Sequence, residues 1–419
     1  MSWRSPHRAF VRASSGFSAS TWGASALALA FVGLLGCGAE SGEDGSDGRT
    51  SGGGGPQSGG TGGAASGGAA SGGAASGGTG GSGGEGTGAV GGSGGAGSGG
   101  ATSLACREPS EAGPLTTNLP CSLSETGLYE ADMVTLAPGV RPYRASFELW
   151  SDGAEKKRWI ELPPDTKIDT SNMDFWAFPA GTKLWKEFTR DGIRVETRLI
   201  QKRATGSWYT VAYQWRPDQT DADAVPNGVV DASGTGHDIP NAEACLTCHG
   251  QQPDKVLGFS ALQLSHEPLD ASDPLEWTLG RLMDEELLTA PPAAVFSLPG
   301  TEAERAFFGY LHANCGHCHN PTGTANVQTG LDMWLKVAEL GGPVTQLSVY
   351  QALYDVDIVW LDGAPPNAGK RIAPGALEES AVYQRFVSKG QSFAMPPLGS
   401  EALDSEGKQI FETWIQSLR

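Results

Sequence analysis

Residues 193–199 read IRVETRL and residues 208–215 read WYTVAYQW. In the first, Ile193, Val195, Thr197 and Leu199 alternate with Arg194, Glu196 and Arg198. In the second, Tyr209, Val211, Tyr213 and Trp215 hold alternate positions. A period of two marks a half-buried β-strand, apolar on one face and polar on the other. Asp191-Gly192 before the first segment and Gly206 between the two supply turn chemistry, so the segments predict hairpins. Working outward, YRASFELW (143–150), KKRWIELP (156–163) and TKLWKEF (182–188) are further strand candidates. Residues 104–240 are therefore expected to form a β-rich domain, a sandwich or small barrel. Its tryptophans suit strand positions in a core, with a sugar-stacking surface as the alternative.

Beyond His237 the pattern changes to helix. AEACLTCHG (242–250) and HANCGHCHNPTG (312–323) each hold C-x-x-C-H, as Cys245, Cys248, His249 and as Cys315, Cys318, His319. This spacing suits covalent attachment of a c-type haem. The two thiols add across the vinyl groups, and the next histidine ligates iron from one side. Two covalent haems are expected, the second motif being the more complete. Structural zinc is the rival, since two such pairs offer four thiolates. Zinc ribbons separate their pairs by about 15–20 residues, far fewer than lie between Cys248 and Cys315, and zinc explains neither histidine. Asn241 can cap a short helix carrying Cys245, and Thr301 a longer one running into Cys315. SALQLS (260–265) and LEWTLGRLMDEELL (275–288) read as helices. In DSEGKQIFETWIQSLR (404–419), Asp404 is a cap, and Ile410, Phe411, Trp414, Ile415 and Leu418 make one apolar stripe.

The first 36 residues carry Arg4, Arg8 and Arg12, no acidic group, and the apolar run ALALAFVGLL (26–35). That run is too short to span a bilayer and fits a signal peptide, residues 1–36. It ends at Leu34-Leu35-Gly36-Cys37, which resembles the bacterial lipoprotein box and implies lipid on Cys37. Residues 37–103 are almost all Gly, Ser, Ala and Thr. They read as a flexible tether with a root-mean-square reach of roughly 45 Å. Cys106 and Cys121 remain, and in an exported chain they are read as a disulfide. The net charge of −18 argues against nucleic acid and suits a basic redox protein of the envelope as partner. The chain is expected to be exported and anchored in the membrane through its lipid. Gly38 after Cys37 points to the outer membrane, facing periplasm or cell surface.

A helix leading into C-x-x-C-H, a Met-Pro-Pro and a terminal amphipathic helix make residues 301–419 resemble a class I cytochrome c. RIAPGALEESAVYQRF (371–386) matches that family's stretch before the methionine loop, and Met395 takes the place of its distal ligand. Over residues 140–419 the chain is similar to bacterial di-haem cytochrome c-like proteins. The matching pieces are DIPNAEACLTCHG, LGFSALQLSHE, YLHANCGHCHNPTG and MPPLG. The resemblance implies a first haem-binding helical segment, 241–300, and an all-α cytochrome c-like domain, 301–419. The first motif departs from the class I plan, having no long helix before Cys245 and no Met-Pro loop. Its distal ligand is left open between His266, Met283 and none. The implied function is an electron-carrying di-haem lipoprotein. Alternatives are a di-haem peroxidase-type oxidoreductase and a surface carbohydrate-binding module with accessory haems.

Overall fold

The alternating segments form strands. In the computed structural model, which describes residues 120–270, 275–359 and 365–419, the strands are β1 (Arg141–Pro142), β2 (Glu155–Glu161), β3 (Lys183–Arg190), β4 (Ile193–Lys202), β5 (Trp208–Trp215) and β6 (Ala222–Ala224). They pair antiparallel in chain order as one six-stranded meander. Cys37, Cys106, the expected signal peptide and the Gly/Ser-rich stretch lie outside the described residues. Trp159 faces Trp185, Trp185 faces Leu199, and Leu199 faces Val211 across successive strands. With Tyr213 and Trp215, this row packs on Leu123, Leu128, Tyr129 and Val140 as one core. Two indoles of this core are satisfied: Trp185 Nε1 donates to Thr126 Oγ1 at 3.1 Å, and Trp215 Nε1 to Thr197 Oγ1 at 2.9 Å. A buried indole N–H otherwise costs free energy. These tryptophans are core residues and offer no face to a sugar.

Two features of the β region correct the expectation. It is one meander plus a two-stranded ribbon of β7 (Val229–Ala232) and β8 (His237–Ile239), in place of a two-sheet sandwich or closed barrel. Its charged face also turns inward, because the chain after residue 240 folds over it: Arg158 and Glu196 are buried. The edge strands are short, two and three residues. Trp277 N donates to Pro142 O at 2.7 Å beside one, and Ala224 N to Cys121 O at 3.0 Å beside the other.

The all-α, cytochrome c-like domain expected over 301–419 does not form. Helices α1 (Ala242–His249) and α2 (Leu279–Asp284) come first, followed by α3 (Glu302–Asn314), α4 (Thr324–Thr329), α5 (Ser348–Leu353), α6 (Ala381–Val387) and α7 (Ser405–Ser417). Only α3 and α7 reach 13 residues; α4, α5 and α6 are six or seven long. Turns and isolated bridges such as Tyr354 with Ile372 and Lys370 with Ser380 fill much of the remainder. Pro343, Pro374, Pro396 and Pro397, and glycines at positive φ such as Gly330 and Gly375, interrupt helix there. The region is not separate from the sheet either. Asn314 Oδ1 accepts from Trp150 N at 2.8 Å, and its Nδ2 donates to Glu148 O at 3.0 Å. At Gly309 a Cβ would lie 2.2 Å from the Phe147 ring, so only glycine fits. All described residues belong to one compact unit.

Within that unit the anticipated caps are present. Thr301 makes a capping box with Glu304, and Asp404 accepts from the amides of Glu406 and Gly407. Helices α3 and α7 pack through Phe307, which stacks on Trp414 at 3.9 Å and meets Phe411 edge-on at 5.0 Å. Tyr310 closes the pair by donating to Asp404 Oδ2 at 2.9 Å. SALQLS, by contrast, forms only turns, and α2 covers six of the fourteen residues expected to be helical. No helix among the described residues is long and apolar enough to cross a membrane.

Candidate cofactor and metal centre

Strand β8 ends at Ile239, and Asn241 caps α1 by accepting from Ala244 N at 2.7 Å. This places Cys245 and Cys248 one turn apart and His249 at the helix end. The chain then turns back on itself, with Lys255 N donating to Gln252 O at 3.3 Å. Lys255 O is thereby brought 2.5 Å from His249 Nδ1. A carbonyl can only accept, so Nδ1 carries the proton and Nε2 keeps its lone pair. Burial pushes the His249 pKa down to about 4, so the ring is neutral at neutral pH.

The second motif is a tight continuation of α3. The amides of Cys315 and Gly316 both donate to Leu311 O, and His319 N donates to Cys315 O. Gly316 is required, because a Cβ there would stand 2.8 Å from His312 O and 3.1 Å from Met333 O. Asn320, fully buried, holds the loop by donating to Gly316 O at 3.1 Å and His317 O at 2.9 Å. His319 repeats the arrangement of His249: its Nδ1 is 3.2 Å from Leu331 O, and burial lowers its pKa. In both motifs the proton sits on Nδ1 and Nε2 is left to bind. Metal-binding histidines are oriented in this way, by a backbone carbonyl on the other ring nitrogen. The donor chemistry therefore fits an iron ligand at each motif.

The fold brings the two motifs together. Gln252 Nε2 donates to His317 O at 3.1 Å, and Thr324 N donates to Gln251 Oε1 at 2.9 Å. As a result the ligand atoms of Cys248, His317 and Cys318 lie within 4.8 Å of one another. Hydrogen bonding from Cys318, then from His317, holds the Cys248 thiol well below its ordinary value despite burial. The same bond raises Cys318. Burial, then the charges of Glu196 and Cys248, raises Cys245, and burial lifts Cys315 to about 12. His317 is buried with an unpartnered Nδ1. Its nearness to Cys248 leaves no trace in sequence spacing, since α2 and α3 intervene.

A cavity of about 570 Å³ opens beside the first motif, bordered by Cys245, Cys248 and His249 and walled by Trp176, Phe178 and Phe259. That volume lies in the usual range for small-molecule and cofactor sites. The inward face of the sheet forms its other wall. There Glu196 accepts from Arg198 Nε at 2.5 Å and Nη2 at 2.9 Å, and pairs with His237 Nε2 at 2.8 Å. Neither His266 nor Met283 borders this cavity. His266 Nε2 donates to Arg144 O at 2.8 Å and its Nδ1 faces Arg144 Nη2 at 3.0 Å, so both ring nitrogens are engaged. Met283 packs at the rim of the Trp277 and Leu279 cluster. Met395 is 38 % exposed, on a loop whose Pro396 and Leu398 border the cavity. Its amide donates to Arg385 O at 2.9 Å, and the Arg385 charge acts on His319. The Cys121 amide donates to Glu125 Oε2 at 3.0 Å; the disulfide expected with Cys106 involves a residue outside the described ones. No protein-family model, curated protein or solved structure matches the chain.

Proposed function

We propose that the protein carries two covalently bound haems, one at Cys245, Cys248 and His249 and one at Cys315, Cys318 and His319, and transfers electrons in the bacterial envelope. The observation that carries this reading is the repeated histidine geometry, with Nδ1–H on a backbone carbonyl and Nε2 left to bind. Bound haem would supply a one-electron iron couple. The residues' own work is to fix, orient and shield that group. Thiols anchor it, His249 and His319 are held neutral and aimed, and aromatic walls exclude water. The closeness of Cys248 and Cys318 sets the two attachment points side by side, which suits passage of an electron between them. Lipidation of Cys37, the membrane anchor and a redox protein partner belong to the same proposal and rest on the sequence.

A second reading is favoured by the Cys248, His317 and Cys318 cluster. Two thiolates and an imidazole with an open position form a known zinc donor set. The readings part at Cys245 and Cys315, which are outside that cluster. Protein made with a c-type maturation system is expected to hold two haems by pyridine haemochrome. Cys245→Ala with Cys248→Ala should lose one of them, and so should Cys315→Ala with Cys318→Ala. The zinc reading instead has Cys245→Ala and Cys315→Ala keeping full metal in a chain without haem. Zinc with no haem in the unaltered protein would overturn the proposal.

Met395 is proposed as the residue whose thioether would hold the second haem together with His319, a pairing that would raise its potential. Met395→Ala should lower one midpoint potential, admit carbon monoxide to that haem and leave the fold intact by circular dichroism. An unchanged potential and spectrum would remove Met395 from the ligand set.

A further inference from the structure

Three cations stand in a row on the inward face of the sheet. Arg158 is directly opposite Lys186 across β2 and β3, and Lys186 is directly opposite Arg198 across β3 and β4. Strands lie about 4.8 Å apart, so the row spans about 10 Å. Like charges opposed across strands are destabilising, and a desolvated cation without a partner more so. All three residues line the cavity. The outer two are neutralised: Arg158 by Glu148 at 3.3 Å and Arg198 by Glu196 at 2.5 Å. Glu148 is shared with Lys156, also at 3.3 Å. Lys186 has no hydrogen bond or ion pair among the described residues, and its Nζ lies 4.8 Å over the Phe188 ring. In a chain of net charge −18, this wall is locally positive and incomplete.

We infer that Lys186, flanked by Arg158 and Arg198, docks a carboxylate inside the cavity, and that this carboxylate is a propionate of the haem held at Cys245, Cys248 and His249. The assignment to a propionate rests on the haem proposal; the carboxylate dock does not. Burial, then Arg158 and Arg198, drive the Lys186 pKa well down, which an adjacent anion reverses. Lys186 and Arg198 also act on His249, so the row lies beside the first motif. An ammonium between two guanidinium groups supplies several charge-assisted donors to one carboxylate. Dissolved small carboxylates share this chemistry and are the other possible source.

The test uses the full-length haem-loaded protein with Lys186→Met and Lys186→Arg. Haem count should stay at two in both variants, because thioethers retain the group. Lys186→Met should lower the midpoint potential of one haem and leave the other in place, since the electron loses a neighbouring positive charge. Lys186→Arg should return close to the unaltered value. Two unmoved potentials in Lys186→Met would overturn the propionate assignment. Succinate is titrated in parallel, read by thermal shift. A saturable shift in the unaltered haem-loaded protein that is lost in Lys186→Met assigns the dock to a dissolved carboxylate. Should the purified chain prove to hold no haem, the haem proposal fails by its own measurement. The succinate arm then decides the dock alone: binding that is lost in Lys186→Met supports it, and absence of binding overturns it.

Discussion

Trp414→Ala is expected to lower the free energy of unfolding by about 3–5 kcal/mol, read as a fall in denaturant midpoint at constant slope. Trp414 is wholly buried. It stacks on Phe307 at 3.9 Å and meets Phe308 edge-on at 5.2 Å, so its removal leaves a cavity between α3 and α7. Asp404 at the start of α7 meets Tyr310 near the end of α3 that delivers the second motif, so the loss should loosen both. Trp414→Phe should cost much less. It keeps a stacking ring and removes an indole N–H that has no partner among the described residues. A cost below about 1 kcal/mol for Trp414→Ala would show that α3 and α7 do not form a shared core.

Glu196→Ala is expected to cost a similar amount, about 3–5 kcal/mol, because it strands the half-buried Arg198 guanidinium and the buried His237 imidazole without their carboxylate. Burial pushes the Glu196 pKa up, but Arg198 and His237 outweigh it and hold the group below its ordinary value. A carboxyl whose folded pKa is depressed adds stability above its unfolded pKa, and loses that contribution as pH falls through the folded one. The unaltered protein should therefore weaken on acidification below about pH 4. Glu196→Gln should show a smaller part of that acid loss. Chemical denaturation at a series of pH values measures both, and identical acid slopes in the two proteins would refute the assignment.

Much of the sheet was legible because strand periodicity reports on local geometry. KKRWIELP, TKLWKEF, IRVETRL and WYTVAYQW lie on β2 to β5. YRASFELW did not form a strand, because its backbone is taken by other partners. Ser146 N donates to Gln263 O at 2.7 Å and Phe147 N to Gln263 Oε1 at 2.9 Å. Periodicity also could not say what the polar face meets. Glu196 and Arg198 read as the polar face of a half-buried strand, and only the chain folded over that face buries Glu196 and makes Arg198 and Lys186 a cavity wall. Helix caps were legible at Asn241, Thr301 and Asp404, since each is a local hydrogen bond. Helix lengths were not, and the expected helical domain gave way to short helices among turns. The histidines and cysteines of each motif could be named from spacing. That Cys248 meets His317 and Cys318 could not, because long-range packing through Gln251 and Gln252 decides it.

The short edges of the sheet limit how the molecule can meet others. At β1, Pro142 has no N–H to offer, its carbonyl is taken by Trp277, and Tyr143 bridges to the same residue. At β6, Ser122 bridges to Asp223, and Cys121 O accepts from Ala224. Neither rim presents the open ladder of donors and acceptors that an incoming strand requires. The meander cannot be lengthened by another chain, so many copies crowded together have no template for fibre growth along it. Recognition by strand addition is closed at this sheet as well, and whatever binds here must read side chains and their charge.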